Sequence, residues 1–156
     1  MIKNAYEVYK FCYSKGNVVE IPREWKITNN FYWHEAFLNE LKSDGLPFYD
    51  VFQRIQGAAE RFQVIRERIG KPFIIHSWYR CPQHNKRAGS SAGLSMHCYG
   101  TAIDFHINGV SDKEVRREIL LTGVLCRIED GTTGWVHIDN GNPYIPDGYK
   151  FGLFKG

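Results

Sequence analysis

The sequence predicts an α+β domain in which helices come first and a small antiparallel sheet follows. Apolar residues recur between Val51 and Ile69 at the i, i+3 and i+4 intervals of a helix that packs on a core. Residues 101–107 instead alternate between apolar and polar side chains, which is typical of a strand. Two more strand-like segments, at residues 124–129 and 135–139, are joined by a connection too short for a crossover, so we expect them to pair antiparallel.

Local signals place the helices of the first half. The sequence predicts a short helix over residues 5–13 and a second over residues 33–41, with the Ser43-Asp44-Gly45 turn signal ending the second one. In the long helix, Asp50 is the expected N-cap and Gly70 the expected end.

The second half continues with a strand, a loop and a helix. A short apolar run at residues 73–75 predicts a buried strand, whereas residues 80–100 are rich in Gly, Ser and Asn and predict an irregular polar loop. Beyond the alternating strand, Ser111 and Glu114 form a capping box for a helix that we expect to stop at Gly123. Loops on a rigid scaffold often carry functional residues, so the predicted loop is where we look for a site.

Length and composition indicate one globular domain. The chain has 156 residues, of which 43% are hydrophobic and 24% charged, close to the usual globular balance. A chain of about 150 residues buries roughly 68–70% of its unfolded surface, enough for a core without covalent cross-links. Residues 1–28 mix the short helix with an irregular stretch, and we expect them to form an N-terminal appendage on a main domain of residues 29–156. We expect this protein to be a monomer.

Charge and hydropathy exclude several classes of partner. The formal net charge is only +3, without the clustered basic patch that nucleic-acid binding needs. The N-terminal residues lack the apolar core of a signal peptide, and no stretch approaches the ~20 apolar residues of a membrane span. We therefore expect synthesis in the cytoplasm, no nucleic-acid partner and no membrane partner. The four scattered cysteines are expected to be buried thiols.

Two histidines and an aspartate carry the strongest chemical signal. His97 lies near the end of the predicted loop, Asp104 on the alternating strand and His137 on the last predicted strand. Two imidazoles and one carboxylate suit a catalytic zinc ion, which takes three protein ligands and keeps one position open for water. Water bound to such an ion ionises near neutral pH. These elements can bring the three side chains together at one edge of a sheet.

The other histidines have simpler explanations. His34 and His84 are expected to be ordinary hydrogen-bonded or surface residues. His76 follows an apolar run and is interpreted as a core histidine with a hydrogen-bond partner. His106 shares the predicted strand face of Asp104, so it is the one that could neighbour a metal.

A G-x-S-x-G pattern at residues 89–93 offers a competing interpretation. It matches the nucleophile elbow of serine hydrolases, and Asp104 and His137 follow it in the hydrolase order. The elbow requires a buried strand directly before the serine and a helix directly after it. Here polar residues 85–87 precede the pattern and no helical stripe follows, so we favour a loop of small residues and keep a serine hydrolase as a third hypothesis.

Three motifs together resemble the zinc D-alanyl-D-alanine carboxypeptidase family, which groups with lysostaphin-type and hedgehog-type domains. The motifs are Ser77-Trp78-Tyr79-Arg80-Cys81-Pro82, Ser95-x-His97-x-x-Gly100-x-Ala102-x-Asp104 and Trp135-Val136-His137. The similarity extends over about residues 30–140. Because the motifs occur in the family's order, chance agreement is a poor explanation.

The resemblance implies a hedgehog/D-Ala-D-Ala peptidase-like α+β fold and a role for each motif. It implies that His97, Asp104 and His137 are ligands of Zn²⁺. It also implies that Arg80 and Ser95 face the substrate. A guanidinium suits a substrate carboxylate, since it binds one through two parallel hydrogen bonds.

One position departs from the family pattern. Many members carry an acidic general base three positions before the last histidine, where this chain has Gly134. Attack by metal-bound water still needs a carboxylate within about 2.6–3.2 Å or one water away. Glu129 ends a strand expected to pair with the strand of His137, so it is our first candidate, and Asp130 is the second. Asp139 shares the face of His137, where it could equally orient that ligand.

The leading hypothesis is a zinc metallopeptidase that hydrolyses stem or cross-link peptides of peptidoglycan, as a D,D-carboxypeptidase or an endopeptidase. This substrate class comes from the resemblance. The alternative is a zinc-containing but catalytically silent cell-wall-binding or structural module of the same fold, which the glycine at position 134 favours. Without a leader, such a protein would leave its cell by lysis or belong to a bacteriophage release system.

Overall fold

A computed structural model describes residues 1–15, 20–38, 46–87, 95–144 and 151–155. Within these ranges, helices and strands follow one another in an α+β arrangement. In chain order they are α1 (Ala5–Lys15), α2 (Trp33–Phe37), α3 (Tyr49–Ile69), β1 (Ile74–Ser77), α4 (Pro82–Arg87), α5 (Met96–Tyr99), β2 (Ala102–His106), α6 (Asp112–Thr122), β3 (Arg127–Asp130), β4 (Val136–Asp139) and β5 (Gly152–Lys155).

The five strands form one mixed sheet in the order β1-β2-β4-β3-β5. Neighbours β1 and β2, β2 and β4, and β4 and β3 run antiparallel, which confirms the α+β class and the antiparallel hairpin of β3 and β4. The small sheet was expected to be antiparallel, and one of its pairings differs, because β5 pairs parallel with β3. This pairing joins segments that are far apart in the sequence, so no local sequence pattern predicts it.

One hydrophobic core joins α3, the N-terminal helix and one face of the sheet. Phe52 and Phe62 of α3 are fully buried, as are Ile103 and Phe105 of β2. The alternation over residues 101–107 therefore has the predicted apolar face. In α1, Val8 and other residues are buried in the same core. The division of the chain at residue 28 stays a prediction.

The predicted helix boundaries agree in most places. Helix α3 ends at Gly70, which has left-handed backbone, as expected. The predicted start of this helix was wrong. Phe48 is the N-cap, and Asp50 lies inside the first turn, where its Oδ2 is 2.9 Å from Nη1 of Arg54. Helix α2 ends at Phe37, and residues 39–45, with the rest of that predicted helix and its turn signal, lie outside the described residues.

The segment over residues 80–100, predicted to be an irregular loop, contains two short helices, α4 and α5. They have six and four residues, too few to show a helical period in the sequence. The G-x-S-x-G pattern between them, at residues 89–93, lies outside the described part of the chain. By contrast, α6 begins and ends as predicted: Ser111 Oγ accepts a hydrogen bond from Glu114 N at 3.2 Å, and Gly123 is the left-handed C-cap.

Helix α5 ends at Gly100, where two constraints act together. The residue has φ +82°, which favours glycine. A Cβ at this position would lie 2.8 Å from Ile55 Cγ1 and 3.2 Å from the Val51 carbonyl oxygen, both in α3. The close approach therefore ties α5 to the longest helix of the fold.

None of the helices that the structure describes is both long and apolar enough to cross a lipid bilayer.

The close contact at Gly100 predicts a destabilising Gly100→Ala substitution. Gly70→Ala is the matched control, because Gly70 has φ +71° and nothing within 4 Å of the added Cβ. We expect Gly70→Ala to lower the free energy of unfolding by about 1–2 kcal/mol through backbone strain alone. Gly100→Ala should cost a further 1–3 kcal/mol or so, because the methyl group overpacks against α3. Urea denaturation measures both; equal losses would contradict the close approach.

Candidate metal centre

The register between β2 and β4 places Asp104 directly opposite His137. Residues opposite each other in an antiparallel pair project to the same face, so the carboxylate and the imidazole meet there. Asp104 Oδ1 lies 2.8 Å from His137 Nδ1. The neighbouring positions on both strands, Ile103 and Ile138, are also paired and are fully buried on the core side.

His97 reaches the same point from α5. Ser95 caps that helix, its Oγ accepting a hydrogen bond from His97 N at 3.3 Å. The His97 carbonyl oxygen accepts hydrogen bonds from Arg80 N and Gly100 N, both at 3.1 Å. So held, His97 Nε2 lies 3.2 Å from Asp104 Oδ1.

The ligand atoms of His97, Asp104 and His137 all lie within 4.8 Å of one another. Two imidazole nitrogens and one carboxylate oxygen fit a divalent transition metal ion and leave a coordination position for water. His97 and His137 are buried and Asp104 is half-buried, so such an ion would lie at the surface of the sheet with restricted access to water. The structure thus brings together the three residues singled out in the sequence.

The ring nitrogens that face away from the cluster also fit a metal centre. His97 Nδ1 donates to the Trp78 carbonyl oxygen at 2.6 Å, and His137 Nε2 donates to Asp139 Oδ2 at 2.9 Å. Metal-binding histidines almost always donate their second N–H in this way, which fixes the tautomer and the ring orientation. Each imidazole therefore presents its remaining nitrogen to Asp104.

Asp139 contacts His137 on the side of the ring that faces away from Asp104. It is fully buried and lies 3.0 Å from Arg127 Nε through Oδ1, which also accepts a 2.6 Å hydrogen bond from Gly141 N. Its other oxygen holds His137. A carboxylate with both oxygens engaged in the interior orients the ligand, so the general-base alternative for Asp139 is disfavoured.

The cluster strongly shifts the pKa values of Asp104 and His137. Burial favours the neutral form of Asp104, but hydrogen bonds from His137 and His97 outweigh it and hold the pKa of this carboxyl well below its usual range. Burial also opposes charge on His137, yet its hydrogen bonds to Asp104 and Asp139 raise the pKa of the imidazole to about 9. In the metal-free protein at neutral pH, His137 is thus a cation beside an anion, and metal binding must displace its proton.

Arg80 borders the cluster. Its Nη2 lies 3.6 Å from Asp104 Oδ2 and donates to Ser77 Oγ at 3.2 Å. Nη1 donates to Asn85 Oδ1 at 3.4 Å. These neutral acceptors hold the guanidinium next to the candidate ligands while part of it stays exposed to solvent.

The two candidate bases lie on β3. The ladder pairs Arg127 with Asp139, and alternation along β3 puts Glu129 on the same face as Arg127. Glu129 is half-buried and Asp130 is exposed. Both line an open groove of about 610 Å³. Other residues of the groove are Gly131, Thr132, Thr133, Trp135 and Lys155.

The turn that follows β3 explains the glycine at position 134. Gly134 has φ +91°, a conformation that side chains with a Cβ rarely adopt. Its N–H donates to Asp112 Oδ2 at 2.8 Å, which anchors the turn to the start of α6. An acidic residue at this position would be strained in this hairpin.

Sequence reasoning missed two contributors. Trp78 lies inside the first of the three family motifs, but nothing in the sequence showed that its carbonyl oxygen would accept a hydrogen bond from His97. Phe154 comes from the unpredicted strand β5; its ring centroid lies 6.1 Å from that of His137 and 4.3 Å from the Arg127 guanidinium carbon. The expectation that His76 is a core histidine is wrong, since it is exposed.

Comparison with known families gave a match to the family described as Peptidase M15, over residues 30–139. The match covers more than two thirds of the chain and includes each of the three clustered residues. Neither the curated proteins nor the solved structures gave a significant match.

The charges of the centre predict a pH dependence for the stability of chelator-treated protein. The pKa of His137 is about 9 in the folded chain and about 6.5 in an unfolded one. Its stabilising contribution is therefore complete below pH ~6.5 and is lost as the pH rises towards about 9. We expect the melting temperature to fall across this window, and His137→Gln to flatten the fall.

Two buried thiols also lower the stability of the folded protein as the pH rises, because burial raises the pKa of Cys12 to about 12 and that of Cys126 to about 11. Their contribution is common to both proteins and cancels in the difference between the two profiles. Parallel profiles for the chelator-treated wild type and His137→Gln would contradict the assigned charge.

Proposed function

The chain belongs to the peptidase M15 family, and from this premise we propose that it is a zinc-dependent peptidase acting on peptidoglycan. Its substrates would be stem or cross-link peptides, cleaved as a D,D-carboxypeptidase or an endopeptidase. One observation carries the proposal: His97, Asp104 and His137 converge within 4.8 Å. Three ligands of this type leave the open position that a catalytic zinc site needs.

When bound by these three residues, zinc would supply Lewis acidity towards the scissile carbonyl and lower the pKa of a water molecule. The chain's own residues would organise the reaction around it. Trp78 and Asp139 hold the two imidazoles in fixed orientations. The buried position of the ligands limits access of bulk water to one side of the sheet.

Arg80 supports recognition of a carboxylate. In the metal-free centre its guanidinium faces Asp104 at 3.6 Å. A metal ion on Asp104 would compensate that negative charge, which leaves the positive charge of Arg80 available to a substrate. A peptide with a carboxylate at or beside the scissile bond supplies the matching group, and paired donors of arginine favour it over an amide.

Glu129 is our proposed general base, with Asp130 second. Two observations support Glu129. It lies on β3, which pairs with β4, and it shares a face of β3 with Arg127, which contacts Asp139. Both acids lie in a groove that also contains Trp135, which gives a peptide an aromatic surface beside them.

The second candidate function is a zinc-containing module that binds or organises the cell wall without turnover. The observation that favours it is the backbone of Gly134, whose φ of +91° disfavours the acidic residue that many family members carry there. For either function we propose access to peptidoglycan by cell lysis or through a bacteriophage release system.

A cleavage assay with metal exchange tests the proposal. Chelator-treated protein is compared with protein reloaded with one equivalent of Zn²⁺, on a peptide ending in D-Ala-D-Ala and on a cross-linked wall peptide. We expect cleavage of at least one peptide only after reloading, and none of a control ending in L-Ala-L-Ala. His137→Ala should lose stoichiometric zinc and activity together, since it removes one of three ligands. If the zinc-loaded protein binds wall material but cleaves neither peptide, the silent module is correct.

We expect Arg80→Lys to be a severe substitution for carboxylate substrates. An ammonium cannot supply two parallel planar donors, and a hydrogen bond to a charged group contributes about 1.5–3 kcal/mol. The ratio kcat/KM should fall roughly ten- to a hundredfold on the free-carboxylate peptide and much less on its amidated form. Equal losses on the two peptides would show that Arg80 does not bind the carboxylate.

The base assignment predicts unequal effects of two conservative changes. Glu129→Gln keeps the shape of the side chain but cannot accept a proton, so turnover should fall by about 10²–10⁴-fold with zinc content unchanged. Asp130→Asn is the matched control from the adjacent position and should retain most of the turnover. If instead Asp130→Asn abolishes turnover and Glu129→Gln does not, the role belongs to Asp130.

A further inference from the structure

A second pair of histidines lies on the sheet face that carries the metal centre. His76 Nε2 is 2.6 Å from His106 Nδ1, and the two rings stack with centroids 4.8 Å apart. We propose that this pair is a second, weaker binding site for a divalent transition metal ion. Imidazole nitrogens suit zinc, copper and nickel, and these two lie close enough together for one ion to bind both.

A β-bulge creates the pair. Ile75 pairs with Phe105 and Ser77 pairs with Asp104, so His76 is the extra residue between two consecutive pairs of the β1–β2 ladder. A bulge of this kind re-aims side chains, and bulges occur preferentially beside functional sites. Here it brings His76 against His106 and lets Ser77, the next residue, contact Arg80 at the primary centre.

A third side chain fixes the tautomer that metal binding requires of His106, and His76 Nε2 then donates a hydrogen bond that an incoming ion would replace. His106 Nε2 donates to Asn108 Oδ1 at 2.9 Å, because an amide oxygen can only accept. In the neutral ring the other nitrogen, Nδ1, then carries a lone pair, and this is the atom that faces His76. Asn108 thus orients His106 as Asp139 orients His137.

The pair is open to solvent, unlike the primary centre. His76 is exposed and His106 is half-buried, whereas His97 and His137 are buried. Water would complete the coordination shell of an ion held by only two protein ligands. We therefore expect weaker binding than at the centre with three ligands.

The two sites are separate. His106 lies two positions after Asp104 on β2, which corresponds to about 6.6 Å along a strand. Bridged two-metal centres need ions about 3.5–4 Å apart. We expect the sites to bind independently, so the inference does not depend on the peptidase activity proposed above.

Zinc titration by calorimetry of tag-free, chelator-treated protein tests the proposal. We expect two equivalents in the wild type, with the second bound more weakly. His76→Ala and His106→Ala should each bind one equivalent, because either change removes half of the pair. The control His84→Ala, from helix α4, should still bind two.

His137→Ala separates this proposal from the proposed function. It should lose the tight equivalent and keep the weak one. If the wild type binds one equivalent that survives His137→Ala but not His106→Ala, the pair stands and the primary zinc site fails. If the wild type binds a single equivalent that is lost in His137→Ala, or binds two equivalents in both His76→Ala and His106→Ala as well, the pair is not a metal site.

Asn108 provides an independent check that leaves both imidazoles in place. Asn108→Ala should weaken the second binding step by about 10–100-fold, and Asn108→Asp, which keeps an acceptor, should restore it. Unchanged affinity in Asn108→Ala would overturn the assigned tautomer and with it the geometry of the site.

Discussion

The candidate centre depends on the register between strands β2 and β4. The same ladder that pairs Ile103 with Ile138 on the core side pairs Asp104 with His137 on the other face. A slip of one residue would move every apolar side chain of a strand to the wrong face. Burying one such side chain contributes about 1.5–3 kcal/mol, so ordinary hydrophobic packing fixes the geometry of the polar pair. The carboxylate and imidazole are close because their neighbours are buried.

The position of the third candidate ligand depends on a different constraint. His97 lies in a four-residue helix, which has no stability of its own. Trp78 holds both ends of it: its Nε1 donates to the Gly100 carbonyl oxygen at 2.9 Å, and its own carbonyl oxygen accepts from His97. Contact between Gly100 and α3 joins this helix to the core. A fully buried tryptophan therefore couples the interior to the functional face, which explains why its motif and that of His97 occur together.

Sequence reasoning succeeded where the pattern is local. The alternation around Asp104 and the capping box at Ser111 are read from neighbouring residues. His97, Asp104 and His137 were singled out by residue chemistry and by the family resemblance, and the structure brings these three side chains together. Sequence reasoning failed where contacts are long-range or irregular. The parallel strand β5 pairs with β3 across a sequence gap, and the bulge that exposes His76 depends on the partner strand. The assignment of the general base stays a prediction, because it depends on how a carboxylate of β3 approaches the centre.

X-ray absorption at the zinc edge tests the central claim most directly, on protein loaded with one equivalent of Zn²⁺. Two imidazoles and one carboxylate predict nitrogen and oxygen donors at about 2.0–2.2 Å, with the multiple-scattering signature of two histidine rings and a fourth light donor from water. Cys98, adjacent to His97, offers the obvious competing ligand. A sulfur donor at about 2.3 Å, or a spectrum without two imidazoles, would contradict the assignment of His97, Asp104 and His137 as the metal centre.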